Sequence, residues 1–218
     1  MGRGSSKAGG GGTGGVNPNN IVDEEDMISA RNPQNQREID AVLNVARKMT
    51  QQYGNDVAVT GSFTLAKFKG KDSNTLGCYS HGDGSITLNK KYVGNKDLNK
   101  AYDRDVKAGF HPSRGRKSGV EAVAAHEYGH SLTANVQQKM GEKTFNGAAS
   151  RIVTEARKST GTKGTNRQFR KSISGYGSGS DVEAVAEAVA DVYCNGGKAG
   201  KASKAIVKVM NGYLKKKK

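Results

Sequence analysis

The sequence has no tryptophan, only three prolines and two cysteines, and aromatic residues fill 6% of its 218 positions. Two cysteines, Cys78 and Cys194, cannot build the dense disulfide framework of a small secreted domain. Both are expected to be reduced and buried. No stretch approaches the roughly 18 consecutive apolar residues of a membrane span. The N-terminus lacks the apolar segment of a secretory signal peptide. These absences point to a soluble protein made inside a cell, with no membrane partner. Internal repeats, zinc-finger spacing and the aromatic pattern of RNA-binding domains are also missing.

Positive charge is abundant. Lysine and arginine number 35 against 20 acidic residues, a formal net charge of +15. Such a balance favours acidic partners, and weak contact with nucleic acid or acidic proteins is expected from it. The basic residues are spread along the chain, and the one dense run is Lys215 to Lys218. Residues 1–20 are rich in Gly, Ser and Asn, too polar to offset the entropy of ordering, and read as a flexible tail. Residues 21–214 suffice for one domain with a core, and 215–218 form a basic C-terminal tail.

Hydrophobic spacing places the elements. Asn32-Pro33 opens a helix, and Ile39, Val42, Leu43, Ala46, Met49 and Tyr53 follow at helical intervals up to Gly54-Asn55. Val57 to Val59 is a short candidate strand. Residues 76–90 read as a hairpin turning at His81-Gly82-Asp83-Gly84, with Ile86 and Leu88 alternating against Thr87 and Asn89 as on a half-buried strand. Residues 94–117 read as mostly loop. Ser118 and Glu121 have capping-box spacing and start a helix over 119–137. Further helices fit 143–158, 181–194 and 199–214, with a basic loop over 159–172. The expected class is α+β, mostly helical with a small antiparallel sheet.

The chemistry lies in His126-Glu127-Tyr128-Gly129-His130, an H-E-x-x-H pattern. Residues four apart on a helix are about 6 Å apart along the axis and about 40° apart around it. Both imidazoles can therefore reach one Zn²⁺ ion. Glu127, beside them, can take a proton from water that the metal has made acidic. Catalytic zinc usually takes three protein ligands and leaves a position open. No histidine follows His130, so the third ligand should be a carboxylate. Glu183, Glu187 and Asp191 recur every four residues on a segment otherwise made of alanine and valine, and buried carboxylates need a cation. Either Glu183 binds and Glu187 supports a ligating histidine, or Glu187 binds and Asp191 supports it. Spacing leaves both open. His81 and His111 read as surface or loop residues, with His111 a lesser candidate for the cleft wall.

These motifs carry a resemblance. His126-Glu127-Tyr128-Gly129-His130, then Ser174-Gly175-Tyr176, then Glu183 and Glu187, resemble the gluzincin metallopeptidases of the anthrax lethal factor and Pro-Pro endopeptidase type. The chain looks closer still to metallopeptidases encoded by bacteriophages and prophages, among them phage structural or minor head proteins. Gly109-Phe110-His111-Pro112 and Asp191-Val192-Tyr193-Cys194-Asn195-Gly196 are similar to those phage proteins too. The resemblance spans about residues 21–214 and implies a zincin-like fold with one Zn²⁺ per chain. It implies His126, His130 and Glu183 as ligands, Glu127 as catalytic base and Glu187 as hydrogen-bond partner of a zinc-binding histidine. It implies that Tyr176, seven positions before Glu183, points into the site and stabilises the oxyanion or assists the leaving amine. It also implies an edge strand beside the cleft, a place that Ser85 to Asn89 suits and where an extended peptide can pair.

The expected function is thus a zinc-dependent endopeptidase of phage or prophage origin, acting on a protein or peptide substrate. Its expected location is the cytoplasm of a bacterial host or the virion. The alternative is a basic virion protein with a non-catalytic zinc site, touching nucleic acid. A structural zinc is usually closed by four protein ligands, which would leave Glu127 and Tyr176 without a task.

Overall fold

The computed structural model describes residues 16–27, 36–54, 62–92 and 97–215. Over these residues the chain is α+β and mostly helical, with one four-stranded sheet. The strands are β1 (Ile21–Asp26), β2 (Phe63–Phe68), β3 (Gly77–Tyr79) and β4 (Ile86–Asn89). The helices are α1 (Gln36–Tyr53), α2 (Asp97–Lys107), α3 (Gly119–Met140), α4 (Phe145–Ser159), α5 (Asn166–Lys171), α6 (Asp181–Asn195) and α7 (Lys201–Leu214). The expected helix opening at Asn32-Pro33 and the Val57–Val59 strand lie outside the described residues, as do 1–15 and 216–218.

The sheet is mixed, not antiparallel throughout. Its order is β1-β2-β4-β3, and β2 runs parallel to β4 while the other two pairs are antiparallel. The 76–90 hairpin forms as expected, but its second strand inserts beside β2. β4 is therefore internal, and the edge strands are β1 and β3, which corrects the expectation for Ser85 to Asn89. All four residues of β4 are buried. Thr87 meets the Thr64 hydroxyl at 2.8 Å, and the Asn89 amide donates to the carbonyls of Ser73 and Thr75 at 3.2 and 2.8 Å. Polar residues satisfied in this way on the reverse face give the same alternation as a half-exposed strand.

β2 was not expected from its sequence. Phe63 and Leu65 enter the main core, while Ala66 and Phe68 pack with Val16 and Cys78 in a second, smaller cluster. Burial on both faces removes the alternation that marks a strand. Residues 16–20, expected in the tail, belong to the fold. Val16 is buried, and the Asp72 carboxylate accepts from the Asn17 backbone N–H at 3.0 Å and the Asn20 amide at 2.8 Å.

Two helices occupy segments expected as loop. α2 buries Leu98, Ala101 and Tyr102 at helical spacing, a stripe that its many polar residues obscured. α5 starts with a reciprocal capping box between Thr165 and Gln168 and buries Phe169. The other helices fall within a few residues of their expected bounds.

α3 is the central helix. Glu121 N–H donates to Ser118 Oγ at 3.1 Å, and Ser118 N–H donates to Glu121 Oε2 at 3.0 Å, the expected capping box. Gly141, at φ 67°, ends the helix in the left-handed conformation that glycine adopts freely. Small apolar residues cover most of its circumference, as suits a helix surrounded by protein. It packs most closely on α6, and the two run antiparallel. A Cβ at Gly129 would lie 2.6 Å from Ala186 Cα, so the crossing is closer than any other residue there permits. Near one end of the pair, the Tyr193 hydroxyl donates to Glu121 Oε1 at 3.1 Å. Among the described residues no helix is long and apolar enough to cross a membrane. Both cysteines are free; Cys78 is buried and Cys194 half-buried.

Candidate metal centre

The crossing of α3 and α6 sets the site. His126 and His130 lie one turn apart on α3, and Glu183 reaches them from the first turn of α6. Glu183 Oε2 is 3.2 Å from His126 Nε2 and 3.7 Å from His130 Nε2. One ligand atom from each of His126, His130 and Glu183 falls within 4.8 Å of the others, and this group can hold a metal ion. Of the two alternatives left open by spacing, Glu183 is the residue placed among the ring nitrogens.

Two observations fit a cation there. Glu183 Oε2 is buried and has no properly aligned hydrogen-bond donor, an arrangement that costs free energy unless a positive charge satisfies it. Three carboxylates, Glu127, Glu183 and Glu187, also converge on the same two rings. Both rings are neutral metal ligands by chemistry and both are largely shielded from water.

Glu187 supports the site and does not join it. Its Oε1 lies 2.8 Å from His126 Nδ1, which leaves the Nε2 edge of that ring facing Glu183. The same oxygen lies 3.0 Å from His111 Nδ1. Asp191, the other expected supporting residue, is elsewhere. It accepts from the Asn195 amide at 2.8 Å and from Gly200 N–H at 2.9 Å, and so fastens the turn between α6 and α7. A two-turn offset from Glu183 carries it past the rings. His130 Nδ1 is buried without a hydrogen-bond partner, so only one of the two rings is anchored at its far edge.

The charges follow from this packing. Burial works against an imidazolium at His126, but the adjacent Glu183 and Glu187 outweigh it and hold its pKa well above the ordinary value. Burial lowers His130 to about 4. Burial, with the charges of Glu183 and Glu187 adding to it, raises Glu127 to about 7. Glu187 is held well below the usual carboxylate range: burial opposes this, and His111 and His126 overcome it. The Tyr176 phenol is held well above its ordinary value by burial and by the charge of Glu183, so it stays a neutral donor.

A small concavity of about 60 Å³, open to solvent, meets the site from the sheet side. His126, Glu127, His111 and Tyr176 line it on one side, with Leu76 and Gly77 at β3 on the other. The edge strand thus lies beside the cleft, as expected, but the strand is β3. Gly77 has no room for a side chain, since a Cβ would sit 2.9 Å from Val123. Tyr176 comes from the segment before α6, its ring centroid 5.7 Å from that of His126.

His111 is the residue that sequence reasoning undervalued. The expectation of a surface or loop residue, with the cleft wall as the lesser alternative, holds for the loop and the cleft but not for the surface: its side chain is 13% exposed and its ring stacks on Tyr102 with centroids 5.1 Å apart. The available signal was the Gly109-Phe110-His111-Pro112 motif. His81 lies in the hairpin turn as expected, packed edge-on against Phe145 at 4.1 Å, and burial lowers its pKa.

Fold and site together define a helical α+β domain with a candidate mononuclear metal centre of two histidines and one glutamate at a solvent-open cleft. Protein-family models, curated proteins and solved structures were all compared with the chain, and none matches it.

Proposed function

We propose that the chain is a zinc-dependent endopeptidase, with His126, His130 and Glu183 as the metal ligands. One observation carries the reading: a buried, unsatisfied carboxylate oxygen between two imidazole nitrogens, with a second glutamate on the cleft side. A structural zinc site has no use for that second carboxylate or for an open cleft. When bound, Zn²⁺ would supply Lewis-acid polarisation of the scissile carbonyl and acidify a water molecule.

The chain's own groups supply the remainder. Glu127 lines the cleft and its carboxyl is lifted towards neutral pH by burial, so it is poised to accept a proton from water and return it to the leaving amine. Tyr176, kept protonated, offers its O–H to the negative charge that develops on the carbonyl oxygen. Gly77 of edge strand β3, with Asn74 to Leu76 before it, lines the cleft, and an extended substrate can lie against this segment. The phage or prophage origin and the contact with nucleic acid or acidic proteins rest on the sequence motifs and on the charge of +15.

The test is metal analysis of the purified protein together with a mixed-peptide cleavage screen, with and without chelator. The expected result is about one zinc per chain and cleavage that chelation abolishes and zinc restores. Full zinc occupancy with no cleavage of any peptide would favour the non-catalytic virion protein instead.

A further inference from the structure

The structure assigns to His111 a part in holding the metal centre: through Glu187, it positions the ligand ring of His126. This inference rests on the metal reading of His126, His130 and Glu183, but not on peptidase activity.

The argument begins with Glu187 Oε1. That single oxygen contacts two imidazoles, His126 Nδ1 at 2.8 Å and His111 Nδ1 at 3.0 Å. A carboxylate oxygen only accepts, so both nitrogens must carry hydrogen for the bridge to form. When His126 is neutral, as a metal ligand must be, the bridge therefore selects the tautomer with hydrogen at Nδ1 and the lone pair at Nε2, the edge that faces Glu183. The Glu187 side chain is 1% exposed, and its Oε2 is buried without a hydrogen-bond partner. Among the described residues, the two histidines are the hydrogen-bond partners of this carboxylate. Removing His111 leaves Glu187 with His126 alone, free to turn.

His111 is itself built in. Its ring stacks on Tyr102, with 9° between the planes. Its segment is stitched to that of Tyr176 by two backbone bonds, Gly175 N–H to the Gly109 carbonyl at 2.8 Å and Tyr176 N–H to the Phe110 carbonyl at 2.9 Å. Gly175 suits this approach, because a Cβ there would crowd the Gly109 carbonyl oxygen at 3.0 Å. The stitch sets His111 and Tyr176 side by side, ring centroids 5.4 Å apart, on one wall of the cleft. A histidine merely filling space would need the stack but not the aligned bond to Glu187.

Three variants separate the two roles. His111→Phe keeps the stack on Tyr102 and loses the donor. His111→Asn places an amide N–H near the position of Nδ1 and loses the stack. His111→Ala loses both. Zn²⁺ affinity is measured for each full-length protein by equilibrium competition with a chromophoric chelator, and folding is checked by thermal denaturation of the metal-free protein. The expected result is a loss of at least tenfold in His111→Phe and His111→Ala, the range for partners behind a ligand. His111→Asn should stay within about threefold of the parent. The inference is overturned if His111→Phe binds as the parent does, if His111→Asn falls as far as His111→Ala, or if the parent itself binds no Zn²⁺. The last outcome also removes the metal reading. The first two remove only the role of His111.

Discussion

Replacing Gly129 by alanine tests how the site is assembled. In an exposed helix the change stabilises by about 1 kcal/mol, since alanine is the better helix former. Here the added Cβ would lie 2.6 Å from Ala186 Cα and 3.3 Å from both Ala186 Cβ and the Ala186 carbonyl oxygen. The obstacle is backbone, so no rotamer relieves it, and α3 and α6 must separate by about 1 Å. Overpacking of this kind costs about 1–3 kcal/mol. After the gain in propensity, a net loss of about 0–2 kcal/mol remains, or a fall in melting temperature of up to roughly 8 °C for a domain of this size. The effect on the metal should be larger. Ligand distances tolerate only about 0.2 Å, and separating the helices carries Glu183 away from both rings. The expected loss of Zn²⁺ affinity is on the order of 100-fold, read by chelator competition, with melting followed by circular dichroism on chelated protein. Gly212→Ala is the control, because it lies in α7 with nothing within 4 Å of the added Cβ, and it should melt slightly higher than the parent. If Gly129→Ala also melts higher, and binds Zn²⁺ as the parent does, the close crossing does not hold the site together.

Other substitutions separate chemistry from support. Glu127→Gln should retain zinc and lose cleavage by on the order of 10²–10⁴-fold, as loss of a general base does, measured as kcat/KM on a peptide from the screen. Tyr176→Phe should also retain zinc but lose about 10²-fold in kcat with little change in KM, as removal of an oxyanion donor does. Zn²⁺ binding should weaken as pH falls through neutrality, by about tenfold per pH unit for each proton displaced. The sign follows from His126: its pKa is raised in the metal-free protein, so protons compete for the ring at pH values where a free imidazole is already neutral. Titration calorimetry in buffers of different ionisation enthalpy should register that proton release. Asp191→Ala should lower stability by about 1–2 kcal/mol, because it removes the two hydrogen bonds that the carboxylate accepts from Gly200 N–H and the Asn195 amide, while leaving Zn²⁺ affinity within a factor of about two.

The α3 and α6 segments were the most legible parts of the sequence. Each carries a local signal that tertiary structure did not overrule: a capping box at Ser118 and Glu121, a cap at Ser180, and histidines or glutamates at one-turn spacing. The choice between Glu183 and Glu187 was not legible in the spacing, because both lie on the same helix face and only the depth of the crossing separates them. That depth depends on Gly129, a residue whose significance is the absence of a side chain. β2 hid because it is buried on both faces, and α2 because polar residues diluted its stripe. The contact of His111 with Glu187 was hidden for another reason. The partner Glu187 is remote in sequence, and a contact over 76 positions leaves no periodic trace.

The bond from Tyr193 to Glu121 stands about two turns of helix away from the Gly129–Ala186 contact. Two rods touching at one place can swing like scissor blades, but rods fastened at two places cannot. The angle between the histidine-bearing and the glutamate-bearing rod is thereby fixed. Ions of different radius must then be accommodated by rotation about side-chain bonds alone, and the backbone offers each of them the same frame.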